Sequence, residues 1–325
     1  MPRPMPEWEK RLGRRLTVRD LHILKTVARA GSMAKAARDL GMSQPSVSEA
    51  MAKLEAALRV RLLDRGPRGI QPTMYADALL RREQVVSDEL QQCIRDIEFL
   101  SNPAAGEVRV GCPENLACGF VPAIIDRLSY RYPKIAFHVT PLEPAATGFR
   151  ELRERSVDVT VGRIVHPPLD DDLDAEVLFD DRLLVVAGTR SPWARRRKIV
   201  AQDLMRASWV HIPQDTGVNA YIAAALEAQG LALPPPTVST YSMHVRYNLL
   251  STGRFLALIW KWTLHFNSNG GAVKALPVDL GIPSRPVAIV KLKNRTLSPV
   301  VELFVDQARE VAKSTTRSSR VAAQP

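Results

Sequence analysis

The sequence predicts two modules of different class: an N-terminal all-α winged helix-turn-helix continued by a long linker helix, and a C-terminal α/β domain of two lobes. Three observations predict it. Apolar residues recur at helical spacing up to Leu58, with Gly and Ser at the breaks. Residues 73–100 contain neither Gly nor Pro. Beyond residue 102, short apolar runs alternate with amphipathic stretches, the pattern of βαβ units. The 325 residues suit two domains at about 150 residues each. The expected boundaries are 1–72 for the winged module, 73–102 for the linker helix, 103–313 for the two-lobed domain and 314–325 for a disordered tail.

Composition narrows the function. The chain is 46% hydrophobic and 24% charged, an ordinary globular balance. Its longest apolar stretches, Ala220 to Leu226 and Phe255 to Trp260, fall short of the ~20 residues of a membrane-spanning helix. The first fifteen residues lack the apolar core of a secretory signal, so a cytoplasmic protein is expected, with no membrane partner. Cys93, Cys112 and Cys118 are too few for a disulfide framework. The net charge of +11 is uneven: residues 1–72 carry +8 and residues 73–100 carry −3. A basic block on under a quarter of the chain is the footprint of a polyanion-binding module.

Thr17 is placed to cap a first helix whose buried face is Leu21, Leu24, Val27 and Ala28, with Gly31 as its stop. Ser32 opens a second helix, Met33 to Leu40, ended by Gly41. Ser43 caps a third, Gln44 to Leu58, with Pro45 in the first turn, where a missing N–H is harmless. Its buried stripe is Val47, Met51, Leu54 and Leu58. Gln44, Ser46, Ser48, Glu49 and Lys53 are then left facing outward. Two short helices across a Gly-containing turn make a helix-turn-helix, and the N-terminal end of its second helix suits base edges and phosphate. Gln44 matches adenine, Glu49 the amino group of cytosine, and the serines either edge or phosphate. Arg59, Arg61, Arg65 and Arg68 surround Gly66-Pro67 and Gly69, a wing-like turn. A small helical protein-interaction module is the bland alternative; capping, periodicity, turn and charge together favour DNA.

The run Gly31-Ser32-Met33-Ala34-Lys35-Ala36-Ala37, through Met42-Ser43-Gln44-Pro45-Ser46-Val47-Ser48 to Leu62-Leu63-Asp64-Arg65, resembles the LysR-type transcriptional regulators. The resemblance spans nearly the whole chain and is strongest before residue 73. It implies a homo-oligomeric, sequence-specific promoter-binding regulator. The DNA-contact set is Gln44, Pro45, Ser46, Ser48, Glu49 and Lys53, with Arg65, Arg68 and Thr73 around the wing. Glu49 and Ala50 stand where the family usually has Arg and Gln, so a base preference does not transfer there. RNA polymerase is a further partner the resemblance admits. Similarity through Ser32 to Ala37 and Gly106 to Pro113 runs nearest to galactose-binding-protein regulators, implying a sugar-like or small carboxylate effector.

In the linker, Val86, Leu90, Cys93, Ile97 and Leu100 are spaced four, three, four, three, the alternation of a coiled-coil seam. Glu83 interrupts it. The resemblance implies that this helix dimerises. Two copies of the basic module would then address two half-sites, a pseudo-palindromic target.

In the second module, strands at Glu107 to Gly111, Ile135 to Thr140 and Val157 to Gly162 enclose helices at Leu116 to Tyr130 and Ala145 to Glu154. A second set runs from Arg182 to Trp260. The strand Val287 to Leu292 and the helix Pro299 to Ala312 return to the first half. The family resemblance implies a periplasmic-binding-protein-like fold with a small effector between its lobes. Ligands of open α/β sheets collect beyond strand carboxyl ends. That rule selects Cys112, Glu114, Asn115 and Arg163 in one lobe, and Gln214, Thr216, Ser242 and Met243 in the other. Each competes with a plain turn or cap role. No cofactor or metal is expected, because the six histidines are scattered.

Gly-x-Ser-x-Gly, P-loop, His-Glu-x-x-His and Gly-x-Gly-x-x-Gly motifs are absent, which argues against an enzyme. A solute-binding protein of the same C-terminal fold would require export. A cysteine redox sensor is the remaining alternative, since Cys112 lies at a helix N-terminus and Cys118 is six residues on.

Overall fold

The computed structural model describes residues 16–66, 69–101, 105–143, 147–164, 169–213, 216–266 and 272–321. The chain forms two compact units, dividing after Ile94.

The first unit opens with α1 (Val18–Ala30), α2 (Met33–Asp39) and α3 (Gln44–Leu58). Thr17 and Asp20 form a reciprocal capping box on α1, and Gly31 closes it at φ +62°. Ser43 caps α3 by accepting from the Ser46 N–H at 3.2 Å. Ser32 stands at the N-cap of α2 without a side-chain cap bond. Leu24, Val27, Ala36, Val47, Met51 and Leu54 meet in one buried cluster. Leu58, expected at the end of that stripe, is only half-buried.

The wing is a hairpin of β1 (Leu63–Gly66) and β2 (Gly69–Pro72), antiparallel with Gly66 opposite Gly69. It is pinned to the helices. Ile70 N–H donates to the Gly31 carbonyl at 2.9 Å, and a Cβ on Gly69 would stand 2.8 Å from that same oxygen. Only glycine admits this approach, at φ +97°. Glu55 on α3 accepts from Leu62 N–H at 2.7 Å and Leu63 N–H at 3.2 Å, fixing where the wing starts.

The linker helix α4 (Met74–Ser101) is continuous. Glu83 does not mark a break in a seam: it is buried on the other side, paired with Lys25 at 2.8 Å. Leu90, Ile94, Ile97 and Leu100 are left 46%, 58%, 64% and 78% exposed. Cys93 is exposed and Val86 half-buried.

The second unit holds two five-stranded sheets. Lobe one comprises β3 (Ala105–Cys112), β4 (Lys134–Pro141), β5 (Val159–Arg163), β6 (Leu173–Asp181) and a returning strand at Arg285–Leu292, in the order β4-β3-β5-return-β6. The pairs β3–β4 and β3–β5 are parallel, and the returning strand is antiparallel to both its neighbours. Around this sheet stand α5 (Glu114–Ala117), α6 (Phe120–Arg131) and α7 (Arg150–Arg153). The single helix expected over Leu116 to Tyr130 breaks at Gly119, because a Cβ there would lie 2.6 Å from that of Phe266.

Lobe two comprises β7 (Leu183–Gly188), β8 (Ser208–His211), β9 (Val238–Ser239), β10 (Phe255–Trp260) and β11 (Val273–Ala275), in the order β11-β7-β10-β8-β9. Its helices are α8 (Ala201–Leu204), α9 (Gly217–Glu227) and α10 (Met243–Ser251). The chain crosses between lobes at Asp181–Leu183 and at Trp260, where α11 (Lys261–Phe266) carries Trp262 and Phe266 back into the lobe-one core. The last strand, β12, is the returning Arg285–Leu292. After it α12 (Pro299–Val321) lays Val301, Phe304, Ala308 and Val311 on that core.

The tail departs from expectation. Residues 314–321, read as disordered, continue α12. Their Ser, Thr and Arg residues include no Gly or Pro to stop a helix already nucleated on the lobe-one core.

Candidate nucleic-acid interface and ligand cleft

The helix-turn-helix presents its third helix as the sequence predicts. Val47, Met51 and Leu54 are drawn into the core. Gln44, Pro45, Ser46, Glu49 and Lys53 are exposed, and Ser48 is half-buried. The Ser46 hydroxyl lies 2.8 Å from that of Ser43, so it shares the cap. Gln44 makes no side-chain hydrogen bond among the described residues, which leaves its amide free for a base edge. Glu49 and Lys53 pair with each other at 2.6 Å along the helix. The lysine holds the Glu49 carboxyl below the ordinary carboxylate range, and the pair cancels a charge that the sequence assigned to phosphate.

Two wing-side assignments change or fall away. Thr73 is an N-cap: its hydroxyl donates to the Arg61 carbonyl at 2.8 Å and accepts from Ala76 N–H at 3.4 Å, joining the wing to α4. A hydroxyl used twice in this way has little left for DNA. Arg65 has its backbone in β1; its side chain and the whole of Arg68 lie outside the described residues.

In the second unit the strand-end rule brings together part of its set. Glu114, half-buried at the start of α5, reaches across the cleft and accepts from the Met243 N–H at 2.9 Å. A lobe-one carboxylate thus sits at the N-terminus of lobe-two helix α10, where backbone N–H groups and the helix dipole favour negative charge. Ser242 caps the same helix, its hydroxyl accepting from Val245 N–H at 3.4 Å. Thr216 caps α9 by accepting from Asn219 N–H at 3.1 Å, and its own hydroxyl donates to the Pro213 carbonyl. These two hydroxyls are used structurally. Gln214 lies outside the described residues.

Arg163 is not a free polar anchor. It is buried at 7% exposure, donates to Asp181 Oδ2 at 2.5 Å and to Asn115 Oδ1 at 3.1 Å, and stacks on Trp260 at 4.0 Å. Asp181 also accepts from the Trp262 N–H at 3.2 Å. Burial pushes the Asp181 carboxyl up and the Arg163 guanidinium down, each opposed by the attraction of the other. Arg163, Asp181, Trp260 and Trp262 therefore pin the two adjacent chain crossings between the lobes. Both tryptophans are core residues, with Trp262 4.1 Å from Phe179.

Cys112 is fully buried in the lobe-one core. Burial pushes its thiol up to about 12, and the neighbouring Cys118 and Glu143 act in the same direction. The expected lowering by a helix N-terminus fails because α5 is one turn long and the thiol points into apolar packing. Burial raises the Cys118 thiol too. Neither is a thiolate at neutral pH, as a reactive sensor requires.

Sequence reasoning missed Asp181, Glu143, His211 and Arg246. Burial raises the Glu143 carboxyl, against the pull of Arg163. Asp181 ends a strand, Leu173–Asp181, that the sequence pattern does not announce. Its acidic residues, Asp174, Glu176 and Asp180, obscure the strand, and these outward positions pair with basic residues or face solvent. Among the described residues no cluster of His, Cys, Asp and Glu is arranged to hold a metal, and no helix is long and apolar enough to cross a membrane.

Comparison with known proteins agrees with this arrangement. The family profile described as the LysR substrate binding domain matches residues 101–313, and that of bacterial regulatory helix-turn-helix proteins of the lysR family matches residues 18–77. The chain is 26% identical over 292 residues to the HTH-type transcriptional regulator TdcA of Escherichia coli (strain K12), covering 89% of this chain and 91% of that protein. Among solved structures, a full-length OxyR variant from Pseudomonas aeruginosa aligns with a TM-score of 0.63 at 21% identity, over 92% of this chain and 97% of that one. CbnR complexed with its target DNA aligns with a TM-score of 0.51 at 19% identity, over 91% and 100%. At such identities the structural matches establish the fold. The family profiles together span nearly the whole chain, which belongs to the LysR family of bacterial transcriptional regulators: a DNA-binding regulator with an effector-binding domain, and not an enzyme.

Proposed function

We propose that α3 seats in the major groove of promoter DNA with Gln44 and Ser48 on base edges, and that two copies of the chain pair through the apolar stripe of α4. The effector is held between the two lobes, beside Glu114 and the N-terminus of α10. The observation that carries the DNA reading is the division of α3: Val47, Met51 and Leu54 are buried while Gln44, unpartnered among the described residues, stands exposed at the helix start. The stripe Leu90, Ile94, Ile97 and Leu100 supports pairing, since four large apolar side chains at seam spacing stay uncovered in a single chain. CbnR, a fold relative, is seen with its target DNA. A promoter-bound regulator of this kind works in the cytoplasm, where RNA polymerase is its further partner.

The test is a titration of the full-length chain with fragments from its own upstream region at several salt concentrations. Affinity falls steeply with salt, because phosphate contacts by the basic first module release counterions. Replacing Ile94 and Ile97 together by Glu shifts the protein to monomer in sedimentation and weakens binding to a two-half-site fragment far more than to one half-site. A flat salt response, or an unchanged sedimentation profile, contradicts the corresponding part of the reading.

A further inference from the structure

A second buried arginine has no counter-ion. Arg246 on α10 is 5% exposed. Its guanidinium donates to the Leu258 carbonyl and approaches the Met243 sulfur at 3.7 Å, while its Nε has no partner. Among the described residues no carboxylate comes within ion-pair distance of it. Glu114 is near enough to favour the charged form, but its carboxylate is committed to Met243 N–H. Burial draws the guanidinium down to about 10, so it remains a cation at neutral pH. An unpaired buried guanidinium carries a desolvation penalty of several kcal/mol.

Beside it, at the carboxyl end of β8, His211 is 7% exposed with its Nε2 unpartnered. Burial, helped by Arg246, holds this imidazole below its ordinary range. Both side chains line one recess of about 230 Å³ in lobe two. Asn219 is the other polar side chain in its lining, and Trp209, Ile222, Leu233 and Leu258 make it apolar. The Trp209 indole N–H is already spent on the Leu204 carbonyl. This lining offers a cation and a ring nitrogen against hydrocarbon. A sugar would demand several acceptors, which the recess lacks.

We propose that this recess seats a small monocarboxylate, its carboxylate held by Arg246 and His211 and its short apolar remainder packed against Trp209, Ile222 and Leu233. The ligand supplies the missing counter-ion, and charge-assisted bonds of this kind are the strong ones. The proposal rests on the reading that the second domain holds an effector, and it names the chemical class of the head group.

Calorimetric titration of the full-length chain with butyrate and, at matched ionic strength, with butyramide tests it. The two probes differ only in the charge of the head group. Butyrate binds at least about tenfold more tightly than butyramide, a difference of about 1.4 kcal/mol. R246Q abolishes that preference, whereas R246K retains part of it. Leu233→Trp, which fills the recess from its half-buried side and leaves Arg246 in place, also abolishes butyrate binding, so the result does not hang on the folding of one variant. Equal binding of the two probes, no butyrate binding by the parent, or a preference that survives in R246Q overturns the proposal. Should the preference survive in R246Q and be lost in Ser242→Trp at the mouth of the cleft, the carboxylate seat fails while the cleft reading stands. Loss in neither variant overturns both.

Discussion

Arg163 and Arg246 are both buried cations in the same domain, and they differ in one respect. Arg163, at the chain crossings, has Asp181 at 2.5 Å, Asn115 at 3.1 Å and the Trp260 ring against its face. Arg246, in lobe two, has a carbonyl and a thioether. A buried charge with its own partner serves the fold; a buried charge left beside an empty recess is placed for a ligand. The difference also separates the parts of this domain that hold still from the part that responds.

Removing the partner in the first region has the largest expected effect. Asp181→Ala leaves Arg163 buried and unpaired and lowers stability by about 3–5 kcal/mol in urea denaturation. The double variant Arg163→Met, Asp181→Ala recovers most of that loss, because a buried pair replaced by apolar groups is often neutral. An unchanged midpoint for D181A would dissolve the contrast between the two arginines.

The same logic on the DNA module gives the next effect. Gln44→Ala removes a side chain that the fold does not use, so specific DNA affinity falls by about 1–3 kcal/mol per recognised base pair with the melting temperature unchanged. A stability loss matching the affinity loss would place Gln44 among the structural residues. Third, R246Q without ligand holds stability within about 1 kcal/mol of the parent or gains on it, since an uncompensated buried charge is relieved. A loss as large as that of D181A would show that Arg246 is structural after all.

The smallest effect is at the surface. Arg153 holds the Asp172 carboxyl below its ordinary range through a 2.8 Å contact, in a pair that is 35% and 46% exposed. With a lowered folded pKa, the stabilisation is present above the unfolded value and is lost as pH falls through the folded one. An acid titration therefore loses less than about 1 kcal/mol between pH 5 and pH 2 from this pair. In Arg153→Met that part of the slope flattens; an identical slope would show that the pair contributes nothing.

The helix-turn-helix is legible in the sequence because its determinants are local: Thr17, Ser43 and Pro45 at helix starts, Gly31 and Gly41 at stops, and apolar spacing between them. Gln44 and Ser48 follow from position on that helix. Arg163 is found by the strand-end rule but misassigned, because its partner Asp181 is eighteen residues on, in a strand whose acidic residues mask its alternation. Arg246 and His211 come together only through the lobe-two topology, with β8 beside β10 and α10 packed over both. Nothing in the local pattern around Val245 or Trp209 marks them. Glu83 and Thr73 mislead for the same reason: their partners, Lys25 and Arg61, lie in other elements.

The most direct measurement is sequencing of genomic fragments retained by the purified full-length chain, compared with its Gln44→Ala, Ser48→Ala variant. The retained fragments share a dyad-symmetric site whose enrichment disappears in the variant. Fragments drawn evenly from the genome, or equal enrichment by both proteins, would contradict recognition of DNA sequence by α3.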